Sequence, residues 1–390
     1  MRAAQARRLL TPWGWAMLVL ALVCIVLALL FGWRELVVIS AGSMTLILLA
    51  MPWIAGTRSV GAHITLEAER VAVGAAASAT VTVTRATRRL SPSSINLAVD
   101  DDSLRIDLEP LPVGGSSDHV IDLDTRLRGR VRIGPMSLVR TDPYGLMRRT
   151  HNLTGVAELV VHPRTVRIPG IATGHVRDLE GIAAAEFAAD DISFHSLREY
   201  TPGDHPRIVH WRSSAKSGSL LVRQFEPSKR SDVLVALSTN GTEHTAADFE
   251  LAVGVAATLC QDALLDSRGL RLVTSPTPKG DVPELDVRTR ARMLDGLADV
   301  AAESEATITE LARRISLSSS ASIAWLLVGS GVGARELRLA LQQLPHSMHA
   351  VVVRCDADAV PAVVQLGSST VVTLGVLDDL ARVLEQGSLS

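Results

Sequence analysis

Residues 194–226 read FHSLREYTPGDHPRIVHWRSSAKSGSLLVRQFE and lead almost at once into the continuous apolar segment Val233–Leu237. Arg198, Glu199, Asp204, Arg207, Arg212, Lys216 and Arg223 crowd around Pro202, Gly203 and Trp211. Seven basic residues against three acidic ones between positions 198 and 230 leave a local charge of +4, on a chain whose net charge is −2. Charges at that density in a folded segment must pair with one another or with a partner. Thr201-Pro202-Gly203-Asp204 and Lys216-Ser217-Gly218-Ser219 both have turn composition. Between them Ile208, His210 and Arg212 alternate with Val209 and Trp211, and beyond them Leu220, Val222 and Gln224 alternate with Leu221, Arg223 and Phe225. The pattern predicts a charged β-hairpin over 194–230, with arginines that act either as ion-pair staples or as a docking surface for an acidic partner.

Downstream the period changes. Val233–Leu237 has the composition of a strand buried on both faces. In the predicted helix 245–267, Phe249, Val253, Ala256, Cys260 and Ala263 share one face, with Gly269 as the stop. Strand Leu270–Thr274, helix 287–303, strand 323–328, helix 334–344, strands 350–354 and 370–374 and helix 377–385 follow. Strands alternating with helices imply an α/β domain over 231–390, built on a mostly parallel sheet covered on both faces.

Upstream, residues 166–193 read as a linker punctuated by Pro169, Gly170, Gly174 and Gly181. Before it, ITLEA, ATVTVT, INLAV, LRIDLE, VIDLD, VRIG and AELVVH alternate apolar with polar residues, which predicts an antiparallel β-sandwich over 57–165. Asp142-Pro143-Tyr144-Gly145 reads as a turn, with glycine supplying a positive φ.

The N-terminal region contains two apolar runs, 13–31 and 36–54, neither with a formal charge. As helices each reaches about 28 Å, close to the hydrocarbon thickness of a bilayer. Gly32-Trp33-Arg34-Glu35 alone separates them, so residues 13–56 are expected to form a transmembrane hairpin after a short cytoplasmic stretch, 1–12. Trp13, Trp15, Trp33 and Trp53 lie at the ends of the runs, where indoles favour the headgroup zone. Arg2, Arg7 and Arg8 precede the first run and Arg58 follows the second, so the positive-inside bias puts both termini of a two-span bacterial membrane protein in the cytoplasm. A secretory leader is shorter and is not followed at once by a second span.

The composition narrows the function. A sequence pI near 6.6 and 3% aromatic residues do not fit a nucleic-acid binder. Cys24, Cys260 and Cys355 lie in apolar runs without CxxC spacing, which fits neither a disulfide framework nor a zinc site. His195, His205 and His210 with Asp190, Asp191 and Asp204 show no metal-ligand spacing. The glycine-rich turn Gly329-Ser330-Gly331-Val332-Gly333-Ala334 matches G-x-G-x-x-A after a strand, with Asp356 about where a ribose-binding acid would sit. A nucleotide-binding enzyme using this turn is the alternative reading, but only 56 residues follow the turn, too few for the further βα units of a dinucleotide fold.

The run Arg198-Glu199-Tyr200, Pro202-Gly203-Asp204, His210-Trp211, Ser214-Ala215-Lys216, Gly218, Leu220-Leu221-Val222-Arg223 and Phe225-Glu226 resembles the signature of the family called domain of unknown function 58. More weakly, Arg128-Gly129-Arg130, Ile133-Gly134-Pro135 and Asp142-Pro143-Tyr144-Gly145-Leu146 resemble its sandwich segment, and two N-terminal spans fit its layout. The resemblance implies a von Willebrand factor A-like domain after the motif, a MoxR-type AAA+ ATPase as partner and no established enzymatic activity. A metal-binding A-type domain carries Asp-x-Ser-x-Ser after its first strand, because a hard divalent cation needs a carboxylate beside hydroxyls. Here that loop is Ser238-Thr239-Asn240-Gly241-Thr242: Ser238, Asn240 and Thr242 keep oxygens, but the carboxylate is missing. Gly329-Ser330-Gly331 stands where an aspartate often contributes to such sites. The expectation is a non-enzymatic membrane adaptor without cofactor, metal or small-molecule substrate, docking proteins through the A-type domain, with this loop face, and the basic hairpin. A cell-envelope scaffold bound to other membrane proteins is a third reading.

Overall fold

The computed structural model describes residues 9–54, 60–85, 93–100, 102–108, 114–153, 155–168, 197–199, 211–223, 232–266, 268–319, 321–367 and 369–388. The chain divides into two compact units, Met1–His162 and Pro163–Ser390.

The first unit begins with two apolar helices, α1 (Pro12–Phe31) and α2 (Arg34–Ile54). Pro12 opens α1 where its missing N–H costs nothing, and the Thr11 hydroxyl accepts from the Gly14 amide. Gly32, at φ 72°, ends it in the left-handed conformation that only glycine adopts freely, and donates its N–H to the Ala28 carbonyl. Ser40 of α2 donates to the Ala21 carbonyl of α1 (2.9 Å), satisfying a hydroxyl on an otherwise apolar pair. By length and composition both helices are able to cross a membrane.

The rest of this unit is β. Strands β1 (Val60–Leu66), β3 (Ser78–Arg85) and β6 (Ser116–Asp122) form one antiparallel sheet, in the order β1-β3-β6. The second sheet runs β2 (Arg70–Ala72), β9 (Ala157–His162), β7 (Gly129–Thr141), β4 (Ser93–Val99), β5 (Asp102–Asp107), with β8 (Arg148–Leu153) also on β7. Ala79, Val81 and Val83 of the first sheet meet Ile95, Leu97, Ile133, Leu159 and Val161 of the second in one core. The period-two spacing of these residues is what puts them on a single face.

The helices are tied into the β portion at the turn Asp142-Pro143-Tyr144-Gly145, with Gly145 at the expected positive φ of 68°. The buried Asp142 carboxylate accepts from the Tyr144 and Met147 amides. Thr11 donates from its hydroxyl to the Gly145 carbonyl (2.6 Å) and from its amide to the Leu146 carbonyl (3.0 Å). Helix α1 comes so close that a Cβ on Gly14 would lie 2.1 Å from the Leu146 oxygen. Leu146 and Met147 pack with Ile47, Ala50 and Ile54 of α2.

The second unit contains the short pair β10 (Leu197–Glu199) and β11 (Leu221–Arg223), joined through α3 (Trp211–Ser217), and then a seven-stranded sheet. Its strands and helices are β12 (Val233–Leu237), α4 (Ala246–Leu265), β13 (Leu270–Thr274), β14 (Glu284–Leu285), α5 (Arg290–Ala298), α6 (Ile308–Ser318), β15 (Ile323–Gly329), α7 (Ala334–Leu341), β16 (His349–Cys355), β17 (Ala362–Leu366), β18 (Ser369–Leu374) and α8 (Leu380–Ser388). The sheet order is β14-β13-β12-β15-β16-β18-β17, parallel through its five middle strands and antiparallel at both edges. Val235, Leu237, Trp325, Leu327 and Val353 pack under α4, α5 and α8 on one face. Leu234, Ala236, Leu326, Val328 and Val352 pack under α6 and α7 on the other. Both faces of the sheet are covered, and its two central strands, β12 and β15, are accordingly apolar at every position.

The structure corrects several sequence expectations here. Trp211 and Arg212 lie in a helix, not on a strand of a hairpin; β11 pairs instead with β10, in the register Arg198↔Val222 and Glu199↔Leu221. Residues 201–210, and with them Tyr200, Pro202, Gly203 and Asp204 of the motif, lie outside the described residues, as does the proposed linker from 169 onward. Helix α5 is shorter than 287–303, because Thr289 caps its start and Asp299 its end. A separate helix, α6, follows it. Helix α4 ends at Asp266 rather than at Gly269.

Candidate functional site

The polar residues of the second unit converge where β12, β13 and β15 end. In an open α/β sheet the carboxyl ends of the strands leave a crevice where successive connections depart in opposite directions. Here β12 leads through α4 to β13 on one side, while β15 lies on its other side.

Ser238, the first residue after β12, is fully buried, and its hydroxyl donates to the Glu243 carboxylate (2.5 Å). The other Glu243 oxygen accepts from the Ile308 amide at the start of α6 (2.9 Å). Burial raises the Glu243 pKa above its usual 4.5; the Ser238 and Ile308 hydrogen bonds oppose the shift, and the neighbouring Glu336 adds to it. Asn240 accepts from both the Thr242 amide (2.9 Å) and hydroxyl (2.8 Å), and donates to the carbonyls of Glu305 and Ala306. Thr239 donates its amide to Ser275 at the end of β13 (2.9 Å). The three residues of the degenerate metal loop, Ser238, Asn240 and Thr242, are thus brought together, and each is already bonded within the protein.

A second knot surrounds Asp248. Thr245 and Asp248 form a capping box at the start of α4. The Asp248 carboxylate also accepts from the Ser330 hydroxyl (2.6 Å) and the Ala357 amide (2.8 Å), joining α4 to the turns after β15 and β16. Burial works against this carboxylate, yet the bonds from Ser330, Ala357 and Thr245 outweigh it and hold its pKa at about 2. Arg354 donates to the Ser330 carbonyl (2.7 Å), fixing the same turn from below. His244, between the two knots, stands edge-on to Phe249 at 5.3 Å, and burial lowers its pKa.

The glycine-rich turn is explained by the same packing. A Cβ on Gly329 would lie 2.1 Å from the Glu243 carbonyl oxygen, and one on Gly331 would lie 2.8 Å from that of Thr242. These glycines let the β15 turn sit against the β12 loop. Asp356 lies 3.9 Å from Arg354.

Beside the knots a groove of about 790 Å³ opens at the ends of β12 and β13, lined by Thr239, Ser275, Pro276, Ser304 and Glu305 among others. Among the described residues no group of three or more His, Cys, Asp or Glu side chains is placed to hold a metal ion.

Of the charged motif, the described residues are helix α3 and the β10–β11 pair. Ser214, buried, fixes α3 to β11 by accepting from the Leu221 amide (2.8 Å). Gly218, at φ 70°, closes the helix by donating to the Ser214 carbonyl. Trp211 is 66% exposed, and Arg212 and Lys216, one turn apart, are exposed as well. Arg198, Glu199 and Arg223 lie on the β10–β11 pair.

Sequence reading missed Glu243 and Asp248, the two acids that organise the strand ends. Thr245-x-x-Asp248 is a capping-box spacing, so Asp248 was open to detection. A lone buried glutamate such as Glu243 leaves no periodic signal.

Residues 196–350 match the family described as "Protein of unknown function DUF58". An uncharacterized protein, YeaD, from Bacillus subtilis (strain 168) is 27% identical over 88 residues, which is 23% of this chain and 21% of that protein. The chain thus matches about a fifth of the length of that relative. Among solved structures, the CARDB domain of a Pyrococcus furiosus protein overlaps 27% of this chain and 97% of its own, at 11% identity and a TM-score of 0.20. The PKD domain of an M14-like peptidase from a Thermoplasmatales archaeon overlaps 27% and 98%, at 10% identity and a TM-score of 0.20. Overlaps this slight carry no argument about the fold.

Proposed function

We propose that the chain is a non-enzymatic, membrane-anchored adaptor whose α/β unit is a von Willebrand factor A-like domain that binds partner proteins. The observation that carries this reading is the exposed helix α3: Trp211 stands open beside Arg212 and Lys216, on a chain that is otherwise mildly acidic. Exposed tryptophan and arginine side chains are the commonest anchors of protein interfaces, and they suit an acidic partner surface. The strand-end loops support the reading from another side. Their hydroxyls, amide and carboxylates hold one another, which makes that face a rigid surface and its groove a seat for a partner segment.

The anchor is the helix pair. Its outward side chains, including Val26, Leu29, Leu30, Val38 and Leu48, are apolar and exposed, as lipid-facing positions are. The arginines that flank the pair in sequence, Arg2, Arg7, Arg8 and Arg58, favour a cytoplasmic location for both units. The partner that fits is a MoxR-type AAA+ ATPase, which rests on the family resemblance alone.

The test is capture of that ATPase by the full chain in lipid nanodiscs, with and without nucleotide. Binding is expected, and it should weaken about tenfold in Trp211→Ala, the loss typical of one interface anchor. Failure to recover any AAA+ ATPase in either nucleotide state removes the partner; binding indifferent to Trp211 removes the surface.

A further inference from the structure

The two edges of the seven-stranded sheet are built differently. Edge β14 is two residues long, and its Glu284 is held by both Arg271 Nε (3.2 Å) and a second guanidinium nitrogen (2.8 Å). Short, charged edges are how proteins discourage strand addition. Edge β17 is five residues long, and no charged residue occurs anywhere from position 360 to 374. Val360 is 82% exposed and Val364 57%.

The register defines what this edge offers. Leu366 pairs with Ser369 across a connection that begins at Gly367, so these two exchange the hydrogen bonds that close the β17–β18 hairpin. By the alternation of an antiparallel ladder, Ala362, Val364 and Leu366 bond to β18, while Val363 and Gln365 turn their N–H and C=O groups outward. The outward residues therefore flank Val364 symmetrically.

We propose that β17 pairs antiparallel with β17 of a second copy of this chain, about a two-fold axis through Val364. In that register Val363 of each copy exchanges both of its bonds with Gln365 of the other, so all the outward groups of the two residues are satisfied. The two Val364 residues face each other at a non-hydrogen-bonded position, where opposing Cα atoms approach to about 4.5 Å and side chains touch. Pro361, which has no N–H, limits the ladder at one end, and the turn at Gly367 limits it at the other. No charge opposes its own copy across the axis. One strand pair buries well under the roughly 1,200 Å² of a stable interface, so the contact depends on confinement of the chains in a bilayer, which raises their effective concentration. In that respect it rests on the membrane-anchored reading.

The test uses the full chain with Cys24→Ala in lipid vesicles; Cys260 and Cys355 are buried and remain. Under mild oxidation Val364→Cys is expected to form disulfide dimers about tenfold faster than Val376→Cys, which is also exposed but lies off the edge. Adding Gln365→Pro, which deletes an outward N–H, should bring the fast rate down to the control. Val364→Lys, which leaves the backbone intact, should abolish energy transfer between labelled copies. Equal rates for the two cysteines, or indifference to both disrupting changes, overturns the pairing. Carbonate extraction of the same vesicles tests the anchoring separately. If the chain is released, the same cysteine comparison at raised protein concentration in solution decides the pairing alone.

Discussion

The loop after β12 and the turn after β15 are both organised by a buried carboxylate, yet the two carboxylates are driven in opposite directions. Glu243 receives one hydroxyl and one amide, and burial prevails, so its pKa is raised. Asp248 receives the Ser330 hydroxyl, the Ala357 amide and the Thr245 groups, and its pKa falls to about 2. Two things separate them: Asp248 receives more donors, and Glu243 is the more strongly desolvated of the two and has the Glu336 carboxylate nearby. A buried carboxylate is a stabilising joint only when enough N–H and O–H groups point at it; with fewer, its charge is a cost that the fold tolerates.

The contrast is broken most severely by Asp248→Ala. The change strips the acceptor from Ser330, Ala357 and Thr245 at once, and is expected to cost about 3 kcal/mol in denaturant unfolding. Acid should give the next largest effect. Because the Asp248 pKa is depressed below its usual 3.8, its contribution is complete above that value and is lost as the pH falls towards 2. The loss is on the order of 2 kcal/mol, and Asp248→Asn should flatten that part of the stability–pH profile. Glu243→Gln should show the reverse sign. A raised carboxyl pKa means that the charged form is disfavoured at neutral pH, so the neutral isostere should be stabilising by up to about 1 kcal/mol. Its advantage should fade as the pH drops and Glu243 itself takes up a proton. An equal loss from Asp248→Asn and Glu243→Gln at neutral pH would erase the distinction. The smallest effect concerns the loop Ser238–Thr242, just ahead of Glu243: millimolar magnesium should leave the melting temperature unchanged, because Ser238 and Asn240 are engaged with Glu243, Thr242 and the Glu305 carbonyl.

How much of this was legible in the sequence follows from the same physics. The strand Val233–Leu237 stood out because both of its faces are buried, which forces an unbroken apolar run. The sandwich strands stood out because only one face of each is buried. Helix α3 was misread because the alternation of Ile208, His210 and Arg212 with Val209 and Trp211 was carried on into it as a strand. The contrary signal was Lys216 followed by Gly218, a basic last turn before a left-handed cap. Helix α6 carried a clear pattern, with Ile308, Leu311, Ala312 and Ile315 on one face behind the Thr307 cap, but the sequence reading passed from the helix 287–303 straight to the strand 323–328. Edge strands β14 and β17 escaped notice because short runs with partial burial offer too few positions to show a period. Of the strand-end site, the loop was found from its resemblance, whereas Glu243 was not, since its role depends on contacts 65 residues away at Ile308.

The seam at Asp142–Met147 sets the point at which the molecule can be cut. A fragment trimmed just after the second helix, the obvious route to a water-soluble preparation, would discard Leu9, Leu10, Ile47, Ala50 and Ile54. Leu146 and Met147 would then lie bare, and the Gly145 and Leu146 carbonyls would lose Thr11. Such a preparation would be sticky for reasons unrelated to biology, and its self-association should not be mistaken for a native contact. Milder surgery would replace the outward-facing apolar residues of the helices and leave the seam whole.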